Sequence, residues 1–215
     1  VLTKPRSMHV LDRWLFSRFH VLLRETTESM DQYQLARATR PLRAFVEDLS
    51  TWWLRRSRER IKSESAFERL DALRTLREIL EETAKVFAPF MPFVSDKIYQ
   101  DLGGAKVSVH LERWPKVEER LIDERLLADM QTVREIVSQG LEARVRAKLP
   151  VRQALGRLTV RWRDQAEFER WSRQQDLFVL VREELNVEEV AMAHVADLSE
   201  PWMVELDTEL TPALK

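Results

Sequence analysis

The chain contains no cysteine, so it has no disulfide, no thiolate nucleophile and no cysteine-ligated zinc or iron–sulfur site. That lack agrees with a reducing compartment. Glycine is scarce as well, with four residues in 215, and there are eight prolines, while Leu, Arg, Glu and Ala abound. The balance favours long helices over turn-rich sheets and excludes an all-β sandwich or barrel. No apolar run reaches bilayer-spanning length and no signal-peptide pattern opens the chain, so a soluble, cytoplasmic protein without a membrane partner is expected. The first residue is Val1 rather than Met, which reads as excision from something longer. What the chain does have is 44% apolar and 33% charged residues, enough to build a packed core.

A net charge of -1 conceals an asymmetry. Residues 176–215 hold ten acids against Arg182 and Lys215, a balance of -8, which leaves +7 for residues 1–175. Within that part, residues 36–62 hold eight bases against Glu47, Asp48 and Glu59, a balance of +5. A local basic surface for a polyanion is therefore available despite the near-neutral total.

Periodicity predicts a mainly α fold. Leu11, Trp14, Leu15, Phe19, Leu22 and Leu23 recur at three- and four-residue steps over about 8–30, with Ser7 as the expected N-cap. A second helical stretch covers about 33–62, and Pro41 within it is expected to kink the helix or start a new one. A third, about 66–88, sets Leu70, Leu73, Leu76, Leu80, Ala84 and Phe87 on one side. A short helix near 94–102, a break at Gly103-Gly104 and an irregular crossing at 108–115 precede a long helix over about 123–148, with Leu126, Met130, Val133, Val137 and Leu141 facing one way. These stripes must bury one another in a helical bundle, residues 1–150. After Pro150 the pattern becomes strand (155–162), helix (166–185) and strand (187–193), a small α/β extension over 151–215 whose acidic tail from His194 has no assigned structure.

Catalytic constellations are missing. His9, His20, His110 and His194 are dispersed and match no metal-binding spacing; no phosphate-binding glycine loop, nucleophile elbow or dinucleotide fingerprint is present. The acids lie on amphipathic helices without a pairing that marks an acid–base couple. No catalytic residue and no metal ligand can be nominated.

The segment Asp48-Leu-Ser-Thr-Trp-Trp-Leu-Arg-Arg-Ser-Arg-Glu-Arg-Ile-Lys62 is the distinctive one. On a helix, Trp52, Arg56 and Arg60 stack at four-residue steps, and Arg55, Arg58 and Lys62 form a neighbouring row. Guanidinium groups pair with phosphate oxygens and an indole offers a face to an unstacked base, so the segment suits single-stranded or looped nucleic acid. Trp52 and Trp53 point about 100° apart, so one of the two belongs to the core. A second basic run, Arg144, Arg146, Lys148 and Arg152, brackets Pro150 and serves either a phosphate or the helix dipole.

These residues resemble the region of isoleucyl-tRNA synthetase, a class I aminoacyl-tRNA synthetase, that follows its catalytic domain. The matching stretches are Leu11-Asp-Arg-Trp-Leu15, Asp48-Leu-Ser-Thr-Trp-Trp-Leu-Arg-Arg-Ser-Arg58, Ala88-Pro-Phe-Met-Pro-Phe93 with Ile98-Tyr99, Ser108-Val-His-Leu111 with Trp114-Pro115, and Val151-Arg-Gln153. Thr51, Trp53 and Ala154 stand where that family usually has Asn, Tyr and Pro. The ATP-binding and activation motifs of the family, H-I-G-H-like and K-M-S-K-S-like, do not occur in the 215 residues. The resemblance implies an anticodon-binding bundle for the stem-loop of isoleucine tRNA, working with a catalytic domain of the same polypeptide, with no DNA partner. It implies no cofactor in this region, ATP and magnesium belonging to the catalytic domain. The candidate tRNA contacts are Trp52, Trp53, Arg55, Arg56, Arg58, Arg60, Arg144, Lys148 and Arg152. The equivalent domain of a valyl- or leucyl-tRNA synthetase, or a helical protein–protein scaffold, are the alternatives.

Overall fold

A computed structural model describes residues 9–208. The chain divides into two compact units, residues 1–127 and 128–215, so the division falls within the last long helix rather than after it. The boundary expected at 150 rested on where helical periodicity stops.

In the first unit α1 (Val10–Asp31) buries Leu11, Trp14, Leu15, Phe19, Leu22 and Leu23, the stripe read from the sequence. Ser7 lies outside the described residues; the N-cap is His9, whose Nδ1 accepts from the Leu11 amide at 3.2 Å. α1 ends with Tyr33 in the left-handed region at φ 58°, where the Gln34 amide donates to Ser29 O and the Tyr33 amide to Met30 O. Glycine normally fills that position, because only it avoids a Cβ clash there.

α2 (Leu35–Glu47) holds Pro41 in its interior, so no new helix starts there. The regular α-helix gives way to a π-helical segment, Asp48–Leu54, before a one-turn α3 (Arg58–Lys62). Phe45, Leu49, Trp53 and Ser57 are all buried at strict four-residue steps. Four residues overshoot an α-helical turn by about 40°, so such a row drifts around a regular helix. The wider i→i+5 turn takes up that drift and keeps the row facing inward.

α4 (Ala66–Phe87) departs from the expected phase. Its inner face carries Ala72, Thr75, Ile79, Thr83 and Val86, while Leu70 and Leu73 are exposed. That face is rich in small side chains, and α4 packs against α1. Only the C-terminal part of the expected stripe, Ala84 and Phe87, is buried. It packs beside α5 (Pro92–Asp101), which starts on a proline at N1.

The crossing at 108–115 is pinned rather than loose. Asp96 Oδ1 accepts from Ser108 Oγ and the Val109 amide, both at 2.8 Å, and Trp114 Nε1 donates to Thr27 Oγ1 at 2.9 Å. Gly104 is obligatory here, since a Cβ on it would lie 2.1 Å from the Tyr99 ring.

α6 (Glu124–Arg146) leads into the second unit, which contains β1 (Leu155–Trp162), α7 (Gln165–Trp171), α8 (Gln175–Leu185), β2 (Val187–His194) and β3 (Trp202–Leu206). The helix expected over 166–185 is thus two helices. A third strand comes from the acidic tail that had no assignment. Strand order is β2-β1-β3, with β1 parallel to β2 and antiparallel to β3. Leu158, Val160 and Trp162 are buried, and Trp162 stacks on Trp171 at 5.1 Å. Arg170 Nη1 bonds both oxygens of buried Asp129 at 2.9 Å, tying α7 to α6.

Candidate nucleic-acid interface

The basic segment of the first unit is half structural. Trp53 is fully buried, and its Nε1 donates to Asp12 Oδ1 at 2.7 Å. Arg60 bonds the same carboxylate with both terminal nitrogens, Nη1 to Oδ1 at 3.0 Å and Nη2 to Oδ2 at 2.6 Å, and its side chain is 15% exposed. Asp12 itself is completely buried in α1. A second clamp runs from Arg18 on α1 to buried Asp48 at 2.8 Å. The expectation that Trp53 stacks on a base and that Arg60 meets a phosphate is therefore corrected. Both side chains are held by Asp12, and releasing either would leave polar groups buried without partners. The signal for this joint was present in Asp12, an acid three and seven residues before Leu15 and Phe19 on the apolar face.

The remaining candidates stay at or near the surface. Trp52 and Arg56 are half-buried, Arg55 and Arg58 exposed. Arg55 Nε donates back to Thr51 O at 3.0 Å. Arg58 has no carboxylate against it among the described residues. Ser57, at φ -85° and ψ 2°, stands between Arg55 and Arg56, which follow the π-helical segment, and α3, which carries Arg58, Arg60 and Lys62.

In the second unit the basic run divides the same way. Arg144 is 1% exposed and donates from Nη1 to Pro150 O (3.1 Å) and Gln153 O (3.0 Å), and from Nη2 to Leu185 O and Asn186 O (3.0 Å). Its expected phosphate contact is corrected accordingly. The guanidinium closes the ends of α6 and α8 and the intervening turn, and burial holds its pKa below the ordinary arginine value. Gly140 completes the joint, since a Cβ there would lie 2.5 Å from Leu185. Lys148 and Arg152 are exposed, with Lys148 in the left-handed region at φ 58°.

Among the described residues no group of three or more His, Asp or Glu is placed to hold a metal ion, and no helix is long and apolar enough to cross a membrane. His20 is buried, its Nδ1 accepting from the Glu118 amide at 3.3 Å, and burial lowers its pKa against the pull of Glu118 and Glu119.

The first unit is thus a set of packed α-helices with Arg55 and Arg58 exposed on its surface. Residues 12–159 match the family described as the anticodon-binding domain of tRNA ligase, and the chain belongs to that family. It is 39% identical over 210 residues to the isoleucine–tRNA ligase of Streptomyces coelicolor, covering 95% of this chain and 19% of that protein. The corresponding ligase of Deinococcus radiodurans is 37% identical over 180 residues, 84% of this chain and 16% of the relative. That of Chlamydia trachomatis serovar L2 is 41% identical over 183 residues, 84% and 17%. The chain thus spans less than a fifth of the length of these relatives.

Proposed function

We propose that this chain binds the anticodon stem-loop of a tRNA, that of isoleucine, and so supports attachment of isoleucine by a catalytic domain of the same polypeptide. The family match across the bundle carries the reading, and the isoleucine–tRNA ligases among its relatives favour isoleucine over valine or leucine. The exposed cations fit the chemistry: a stem presents phosphates to Arg and Lys, and a loop presents unpaired bases. Arg55, Arg56, Arg58, Lys148 and Arg152 are the phosphate contacts in this reading, and Trp52 is the remaining indole of the pair. ATP and magnesium serve the catalytic domain, and the cytoplasm, where tRNA is charged, is the compartment.

Titration of the chain with isoleucine tRNA at two salt concentrations tests this. Binding that weakens as salt rises is expected, with isoleucine tRNA outcompeting valine and leucine tRNAs. Replacing Arg58 with Gln should lower the salt slope by roughly 1 without preference among tRNAs. No binding above background at low salt would leave a protein-binding scaffold as the reading.

A further inference from the structure

The first turn of α4 carries a side chain that the core does not explain. Phe67 is 80% exposed, and neither the buried face of α4 nor any ring contact accounts for it. α3 ends five residues before Phe67, and the connection is pinned: Ser63 Oγ donates to Glu68 Oε2 at 2.7 Å, Arg69 Nη1 donates to Ser63 O at 2.6 Å, and Ser65 caps α4. The phenyl ring is thus presented from a fixed turn at the end of the bundle that holds the Asp12–Arg60 joint.

Cations bracket it. Arg58 and Lys62 lie at i and i+4 on α3, and Arg74 lies two turns along α4 on the same side as Phe67, with Leu70 between. All three are exposed, and none has a carboxylate against it among the described residues. The acids of the stretch are Glu59, Glu64, Glu68, which is engaged by Ser63, and Asp71, half-buried four residues after Phe67. An exposed aromatic ring on a helix pair that also exposes Arg58, Lys62 and Arg74 suits an unstacked base with its flanking phosphates. An apolar protein partner would leave those charges to be buried uncompensated.

We propose that Phe67 is the stacking platform for an unpaired base of the bound RNA, with Arg58, Lys62 and Arg74 receiving the flanking phosphates. The proposal rests on the tRNA-binding reading and adds a ring that sequence spacing did not nominate. Because stacking is tolerant of base identity, this site strengthens binding to any open loop rather than choosing the anticodon.

The test compares wild-type chain, Phe67→Ala and Phe67→Trp on a short RNA stem-loop and on a fully paired RNA duplex, with a thermal melt of each protein. Loss of one stacked base weakens stem-loop binding by about 5- to 150-fold in Phe67→Ala. Duplex binding and the salt slope should not change. Phe67→Trp should bind the stem-loop at least as well as wild type. Arg74→Gln should instead lower the salt slope by roughly 1. If the wild type binds the stem-loop and Phe67→Ala binds it equally, the platform is overturned while the tRNA reading stands. Equal weakening on stem-loop and duplex, or Phe67→Ala altering only self-association, also overturns it. Failure of the wild type to bind either RNA removes the tRNA reading and this proposal with it.

Discussion

The two basic runs, 55–62 in the bundle and 144–152 in the α/β unit, read alike in sequence, and each turns one arginine inward. They differ in what receives it. Arg60 meets a formal charge, the buried Asp12 carboxylate, and shares it with Trp53. Arg144 meets only the carbonyl oxygens of Pro150, Gln153, Leu185 and Asn186. One joint is a closed ion pair between helices; the other is a cation solvated by chain ends. In both, the inward arginine fixes the backbone from which its neighbours project.

The largest way to break the comparison is Asp12→Ala. It leaves the Arg60 charge and the Trp53 N–H buried without a partner and should destabilise the first unit by about 3–5 kcal/mol in urea unfolding. Arg60→Met should be comparably damaging, whereas the double variant should recover much of the loss. A fully additive double variant would contradict the closed pair. Arg144→Met removes a donor from four carbonyls without stranding an opposite charge, so a smaller cost of about 1–3 kcal/mol is expected, measured on the second unit by hydrogen exchange. A loss as large as that of Asp12→Ala would erase the distinction between the two joints.

Lys148 sharpens the contrast further. A non-glycine residue in the left-handed region costs about 1 kcal/mol or more, so Lys148→Gly should stabilise the second unit by about 1 kcal/mol while lowering the salt slope of RNA binding. Lys148→Ala retains the strain and should show the binding effect alone. The smallest effect is titration of His20. Its folded pKa lies below 6.5, so the unfolded state binds the proton more tightly. Stability of the first unit should therefore fall as pH drops through and below 6.5, and His20→Gln should flatten that part of the pH profile.

Much of the fold was legible because wide apolar stripes leave helices few options. The buried sets of α1 and of α6 through Val137 follow the sequence reading. α4 was legible as a helix but not in phase, because Ala72, Thr75 and Thr83 carry little hydrophobic signal although they line the inner face. That error hid Phe67, which becomes conspicuous only once the inner face is known. The tail strand was obscured by its charge: Glu205 on β3 pairs with Arg161 on β1, so acidity there accompanies pairing rather than disorder. Among the site residues, periodicity identified the segment but could not tell Trp53 and Arg60 from their neighbours. The π-helical turn and the Asp12 carboxylate, remote in sequence, decide which of them face the core.

The strand order has a consequence in time. β1 is the central strand, yet both its partners follow it along the chain, β2 beginning at Val187 and β3 ending at Leu206. At about 5–20 residues per second, a ribosome takes seconds to deliver them after Trp162 is made. During that interval Leu158, Val160 and Trp162 belong to a strand with two open edges and no covering helix. β1 is therefore the part of the nascent chain on which a holding chaperone, or a neighbouring chain, has the longest opportunity to act.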